Sequence, residues 1–175
     1  MMGTRMLAAA SLIVLALTGA LAADRTIHVT KDIALVVPNG SPVRFASYDD
    51  HNITAKFVGR FALTGLYRIT FAQGGGYTEL NFEPDRTWVA RLPYWKAYQQ
   101  HARQIAFDNP DDFLKAVLPA HLRHKGQISG RVAVNVNGYQ TGIECDWPWF
   151  TVHYLSIEHA PALLAKAGAD DDIGC

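Results

Sequence analysis

Ile53-Thr54-Ala55-Lys56-Phe57-Val58-Gly59-Arg60-Phe61-Ala62-Leu63-Thr64-Gly65-Leu66-Tyr67-Arg68-Ile69-Thr70-Phe71 is the stretch that decides the architecture. Its odd positions are apolar or glycine throughout, while its even positions are mostly Thr, Lys and Arg. Side chains of an extended strand alternate between two faces, so this is a strand with one face toward a core and the other toward water. At about 3.3 Å per residue the run would reach roughly 60 Å, far beyond an ordinary strand. Gly59 or Gly65 must therefore mark a bend, a bulge or a turn, as glycines do in curved sheets and small barrels.

Downstream, the Gln73-Gly74-Gly75-Gly76 loop reverses the chain into a strand from Tyr77 to Phe82, and Pro84-Asp85 turns it again into a strand from Arg86 to Leu92. An antiparallel meander is expected. The period then changes. Tyr94, Tyr98, Ala102 and Ile105 recur at helical spacing. Further on, Asn109 offers an N-cap, Pro110 suits the first helical position, and Asp111 and Asp112 complement the helix dipole. The apolar residues of this second helix are Phe113, Leu114, Val117 and Leu118, and Pro119 kinks it or splits off a last turn before Gly126.

A second β region opens with Val132, Val134 and Val136, followed by Asn137-Gly138 and then Tyr139, Thr141 and Ile143. An Asn-Gly pair between alternating runs predicts a type I′ hairpin that pairs Val136 with Tyr139, Val134 with Thr141 and Val132 with Ile143. Pro148 ends that hairpin, Phe150 to Ile157 forms one more strand, and Pro161 to Ala167 forms a short helix stopped by Gly168. Strands, helix and strands again mean an α+β fold with a mainly antiparallel β-sheet and a helical insert, about 94–124, between two β regions. The bent, glycine-bearing strand suits a small OB-like, partly closed barrel.

The first twenty-two residues stand apart from this pattern. Arg5 gives a positive start, Met6 to Leu17 is almost unbroken apolar sequence, and Ala20-Leu21-Ala22 places small residues at a cleavage site. The expectation is a cleaved secretory signal peptide over 1–22 and a single globular domain over 23–175, periplasmic or secreted, with no stable membrane anchor after cleavage. Setting Arg5 aside, 15 basic residues face 16 acidic ones, and the basic residues are scattered singly along the chain. Nucleic acid is therefore not an expected partner.

An exported chain meets an oxidising compartment, so Cys145 and Cys175 are expected to form a disulfide. The competing role for Cys145 is a nucleophile served by His153 or His159. There is no Gly-x-Ser-x-Gly elbow, His-Glu-x-x-His, Walker loop or Cys-x-x-Cys in the sequence. His121 and His124 stand three apart, a spacing that can share a metal, but Arg123 and Lys125 beside them disfavour a cation, and no metal or cofactor is assigned. Glu144 and Asp146 flank Cys145 and would face the same side of a strand, about 7 Å apart, a separation used in acid-base work on glycosidic bonds. The polar face of a half-buried hairpin is the reading favoured for them, since half-solvated strands alternate in this way. Asp170-Asp171-Asp172 lacks the ligand spacing of a calcium loop and reads as a solvated tail, and Asn52-Ile53-Thr54 has the form of a glycosylation acceptor.

The aromatics supply the strongest contact surface. Trp147, Trp149 and Phe150 cluster around Pro148, and Trp95 follows Pro93-Tyr94, so these four rings are the candidate binding residues, with core plugging as their competing role. The function expected from all this is an exported, non-catalytic binding or interaction domain for a protein, peptide or glycan. The alternative is a small secreted hydrolase using a histidine with a carboxylate such as Glu144 or Asp146.

Overall fold

The computed structural model describes residues 23–72, 77–99, 103–118 and 126–164, with backbone alone at Thr78 and 159–164. The strands are β1 (Arg25–His28), β2 (Ala34–Val37), β3 (Arg44–Asp49), β4 (Thr54–Phe71), β5 (Tyr77–Pro84), β6 (Tyr94–Trp95), β7 (Ala106–Phe107), β8 (Gln127–Glu144) and β9 (Trp147–Leu164). Two short helices, α1 (Arg86–Val89) and α2 (Pro110–Val117), and a 3-10 turn at Lys96–Tyr98 accompany them. The expected signal peptide, the Gly74-Gly75-Gly76 tip, His121, His124, the Asp170 to Asp172 run and Cys175 lie outside the described residues.

The long alternating stretch is β4, which spans 18 residues without interruption. Its odd positions from Ala55 to Ile69 point inward, except at Gly59, and Lys56, Val58, Arg60, Leu66 and Arg68 are exposed. β8 pairs antiparallel along one edge of β4 for nearly its full length. β3 and β5 share the other edge in tandem, β3 against Thr54 to Val58 and β5 against Gly65 to Phe71. β9 follows β8 antiparallel, and β7 adds a two-residue parallel edge. A separate antiparallel sheet has the order β1-β2-β6. The mostly antiparallel architecture is therefore as expected, but the described residues contain no closed barrel. Among the described residues, the two edges of the large sheet are linked by a single bridge from Phe82 to Ile105.

The glycine expected to break the alternation does so as a bulge. Between Phe57 and Arg60 the register shifts, so Val58 and Gly59 face Gly138 of β8. Gly59 has φ 154°, and a Cβ there would meet the Pro42 carbonyl oxygen at 2.7 Å, so glycine is required where the β2–β3 connection closes over β4. Gly138, with φ 65°, takes the matching position in β8. This overturns the hairpin expected at Asn137-Gly138: β8 runs straight through it. Against β9 it is β8 that carries an extra residue, between Asn137 and Gln140, and there its alternation inverts: Val132, Val134 and Val136 are buried before the shift and Tyr139 and Thr141 after it. The reversal comes instead at Cys145-Asp146, between the paired Glu144 and Trp147.

Several other expectations are corrected. Arg86 to Leu92 is not a strand, because the Asp85 carbonyl accepts the N–H groups of Trp88 and Val89 and starts α1. The helical insert reduces, among the described residues, to the 3-10 turn at Lys96–Tyr98 and to α2. Tyr94 and Trp95 pair with Val36 and Leu35 as β6 because the Trp95 ring fills the core, a tertiary demand that outweighs helical spacing. Pro148 does not end a strand. It stands second in β9, ahead of the point where β7 joins at Thr151, so its missing N–H costs the ladder little. Pro161 to Leu164 continues β9 as strand instead of opening a helix.

α2 begins as its sequence dictates, with Pro110 in the first turn followed by Asp111 and Asp112. Asn109 makes no side-chain cap; its amide donates to the Tyr154 carbonyl at 2.9 Å, and its Oδ1 accepts the Tyr154 N–H at 2.8 Å. The helix start is thereby clamped to β9. Phe113 stacks on Phe107 at 4.5 Å and meets Tyr67 and Tyr154 edge-on, which fastens α2 over the inner face of the sheet. Buried Arg103 donates to the carbonyls of Val89 and Leu92 and lies over the Tyr94 ring. That contact holds the α1–β6 connection against the core.

Candidate functional site

Two tight connections meet at one end of the sheet. In the β8–β9 turn Cys145 and Asp146 have φ of 49° and 64°, the backbone of a type I′ loop built without glycine. In the β3–β4 connection Ile53 has φ 45°, unusual for a β-branched residue. Each such residue costs on the order of 1 kcal/mol and persists only where its surroundings fix it. Those surroundings are the pairing of Thr54 with Gly142 and the hydrogen bond from the Ile143 N–H to the Ile53 carbonyl at 3.3 Å. The strained backbones are therefore neighbours on adjacent strands.

Between them lies an open cavity of about 470 Å³, walled by Trp149, Ile143, Glu144 and Cys145 from one side and by His51 and Asn52 from the other. The Trp149 indole lies directly on Gly142, where a Cβ would stand 2.5 Å from ring carbons. Behind it, the Trp95 indole N–H donates to Thr141 Oγ1 at 3.0 Å, and the Thr141 hydroxyl donates to the Trp149 carbonyl at 2.9 Å. This chain runs from the core to the backbone of the cavity wall. Trp147, paired with Glu144 of the cavity wall, is 66% exposed.

The far wall is a compact polar network. Asp49 accepts from the Asn52 amide at 2.9 Å and from the His51 backbone N–H at 3.1 Å. The Asn52 bond is the larger of these effects in holding the Asp49 carboxyl below its ordinary pKa, because it favours the charged form. His51 Nδ1 lies 3.0 Å from Asp50 and 3.9 Å from Asp49. One ligand atom from each of Asp49, Asp50 and His51 falls within 4.8 Å of the others, all three being exposed. Exposed acidic turns gather oxygens in this way with or without an ion.

Of the four rings singled out in the sequence, Trp147 and Trp149 come together at this end. Trp95 and Phe150 do not present faces to solvent: Trp95 is core, and Phe150 is buried in a stack on Tyr139 with centroids 6.2 Å apart. Glu144 and Asp146 do not share a strand face, since Asp146 belongs to the turn. Cys145 is exposed. His153 lies far along β9, paired with Asn137 and bonded through Nδ1 to Asp108 at 2.8 Å, roughly 20 Å from the turn at about 3.3 Å per residue. The imidazole that shares the cavity with Cys145 is His51. His51 and the Asp49 network carry no motif spacing, and only the register of β4 on β8 brings them to the cavity. No family model matches the chain, and no curated protein or solved structure matches it either.

Proposed function

We propose that this chain is an exported, non-catalytic binding domain that captures a protein, peptide or glycan at the Trp147–Trp149 end of its sheet. The observation that carries this reading is the two-thirds exposed Trp147 ring, on the strand residue paired with Glu144, two residues from the Trp149 that walls the cavity. An indole held on rigid strands covers large apolar area at small entropic cost, and such anchors dominate binding energies. Export rests on the character of residues 1–22. Glycan arrays and peptide libraries probed with purified protein test the reading. Trp147→Ala, a surface change that leaves the fold intact, should weaken capture about 30-fold or more, while His153→Ala leaves it unchanged. Capture indifferent to Trp147 would refute it.

The His153–Asp108 pair favours a second reading, because a carboxylate on Nδ1 orients an imidazole as in many hydrolytic sites. A small hydrolase would show turnover on a panel of ester, peptide and glycoside substrates that His153→Ala reduces 100-fold or more with the melting temperature preserved.

A further inference from the structure

A second concave surface lies between the two sheets, away from the turn cavity. It is a trough of about 450 Å³ whose apolar lining is Val37, Val43, Phe45 and Val58 and whose flanks carry Arg25 and Arg44. Val58 is 49% exposed at an outward position where β4 otherwise places Lys56 and Arg60. The outward position follows from the unbroken alternation of β4, and the ladder to β8 shifts register directly beside it, between Phe57 and Arg60. Val43 of its lining lies next to the close approach of Pro42 to Gly59, which seats the β2–β3 connection on β4.

Its electrostatics are one-sided. Arg25, Arg44, Lys56 and Arg60 make no ion pair among the described residues. Asp24, next to Arg25 in the chain, is instead engaged by the Asn39 N–H at 2.9 Å. An apolar floor between two uncompensated guanidinium groups complements a molecule with an apolar body and an anionic end, since guanidinium binds carboxylate through two parallel hydrogen bonds. The volume falls in the range of single-ligand sites, about 300–1,000 Å³, and the surface is concave, which suits one free chain and not the plane of a bilayer. We propose that this trough binds a free fatty carboxylate, the acyl chain lying on Val37, Val43 and Val58 and the carboxylate held by Arg25 and Arg44.

The test uses the intact domain and laurate as the probe, titrated below its micelle concentration by calorimetry. Acetate, dodecyltrimethylammonium and anionic phospholipid vesicles are the comparison ligands. Laurate should bind at least tenfold more tightly than either acetate or the cationic surfactant. Arg25→Gln/Arg44→Gln should erase the preference for the anionic head, and Val58→Asp should weaken laurate tenfold at an unchanged melting temperature. Trp147→Ala should leave laurate binding intact, which separates this site from the turn cavity. Laurate bound equally well by Arg25→Gln/Arg44→Gln would overturn the proposal. So would laurate bound no better than acetate, or vesicle binding that laurate does not displace.

Discussion

Replacing Gly142 by Ala tests the construction of the cavity wall most directly. The new methyl group would stand 2.5 Å from two carbons of the Trp149 ring and 2.7 Å from its nitrogen. Non-bonded carbons rest at about 3.5–4.0 Å, so the indole must retreat by roughly 1 Å. It cannot do so by moving its backbone freely, because the Trp149 carbonyl is held through Thr141 to the buried Trp95 indole. The ring must leave its rotamer or the strands must part, an overpacking cost of about 1–3 kcal/mol. Equilibrium denaturation should register that loss, and near-ultraviolet circular dichroism should register the altered indole environment. The decisive measurement is a double-mutant cycle with Trp149→Ala: once the ring is gone the three atoms nearest the new methyl group are gone with it, so the cost of Gly142→Ala should fall sharply. An equal cost in both backgrounds would show that Trp149 does not lie on Gly142 and would dissolve the cavity wall as described.

Asp146→Gly should stabilise the domain by about 0.5–1 kcal/mol, because glycine takes the positive φ of the turn without steric penalty, whereas Gly138→Ala should cost about 1–2 kcal/mol; urea unfolding measures both. Asn109→Ala should cost about 1–3 kcal/mol for two lost bonds to the Tyr154 backbone, and hydrogen exchange should show faster exchange of the Tyr154 amide. Asn52→Ala should raise the Asp49 pKa toward its ordinary value in a carboxylate NMR titration. In the intact protein that carboxyl titrates lower folded than unfolded, so its contribution to stability is present above the ordinary carboxylate range and is lost as the pH falls through the lowered value.

The core strand was legible because its alternation reports directly which face is buried, and α2 was legible because proline and two acids mark a helix start, whereas Asn109, expected as its cap, makes no cap bond and is taken by the Tyr154 backbone. Asn137-Gly138 was misread for a specific reason. A two-residue hairpin loop places Val136 and Tyr139 on one face, and a bulged continuous strand does the same, so the apolar pattern is identical in both. Only the partners decide, and β4 and β9 flank β8 on both sides of that point. Trp95 shows the same limit from another direction: helical spacing described its neighbours, but the Thr141 hydroxyl and the vacancy in the core lie far along the chain. At the candidate site, Trp147 and Trp149 were visible as a local aromatic cluster. Asp49, His51 and Asn52 were not, because they reach the cavity only through strand register.

The tandem seating of β3 and β5 on one edge of β4 divides the sheet mechanically. Between Val58 and Gly65 no strand among the described residues pairs with that edge, and Gly59 breaks the ladder to β8 at the start of the gap. The turn end and the α2-covered end are thus joined mainly through the β4–β8–β9 spine. Local opening at the turn end need not propagate past the gap, so amide exchange should separate into two kinetic classes along β4, with the boundary between Val58 and Gly65. A ligand at Trp147 and Trp149 would slow exchange in the first class and leave the second at its own rate, and the turn end could then vary in sequence and loop length while the far half keeps the domain folded.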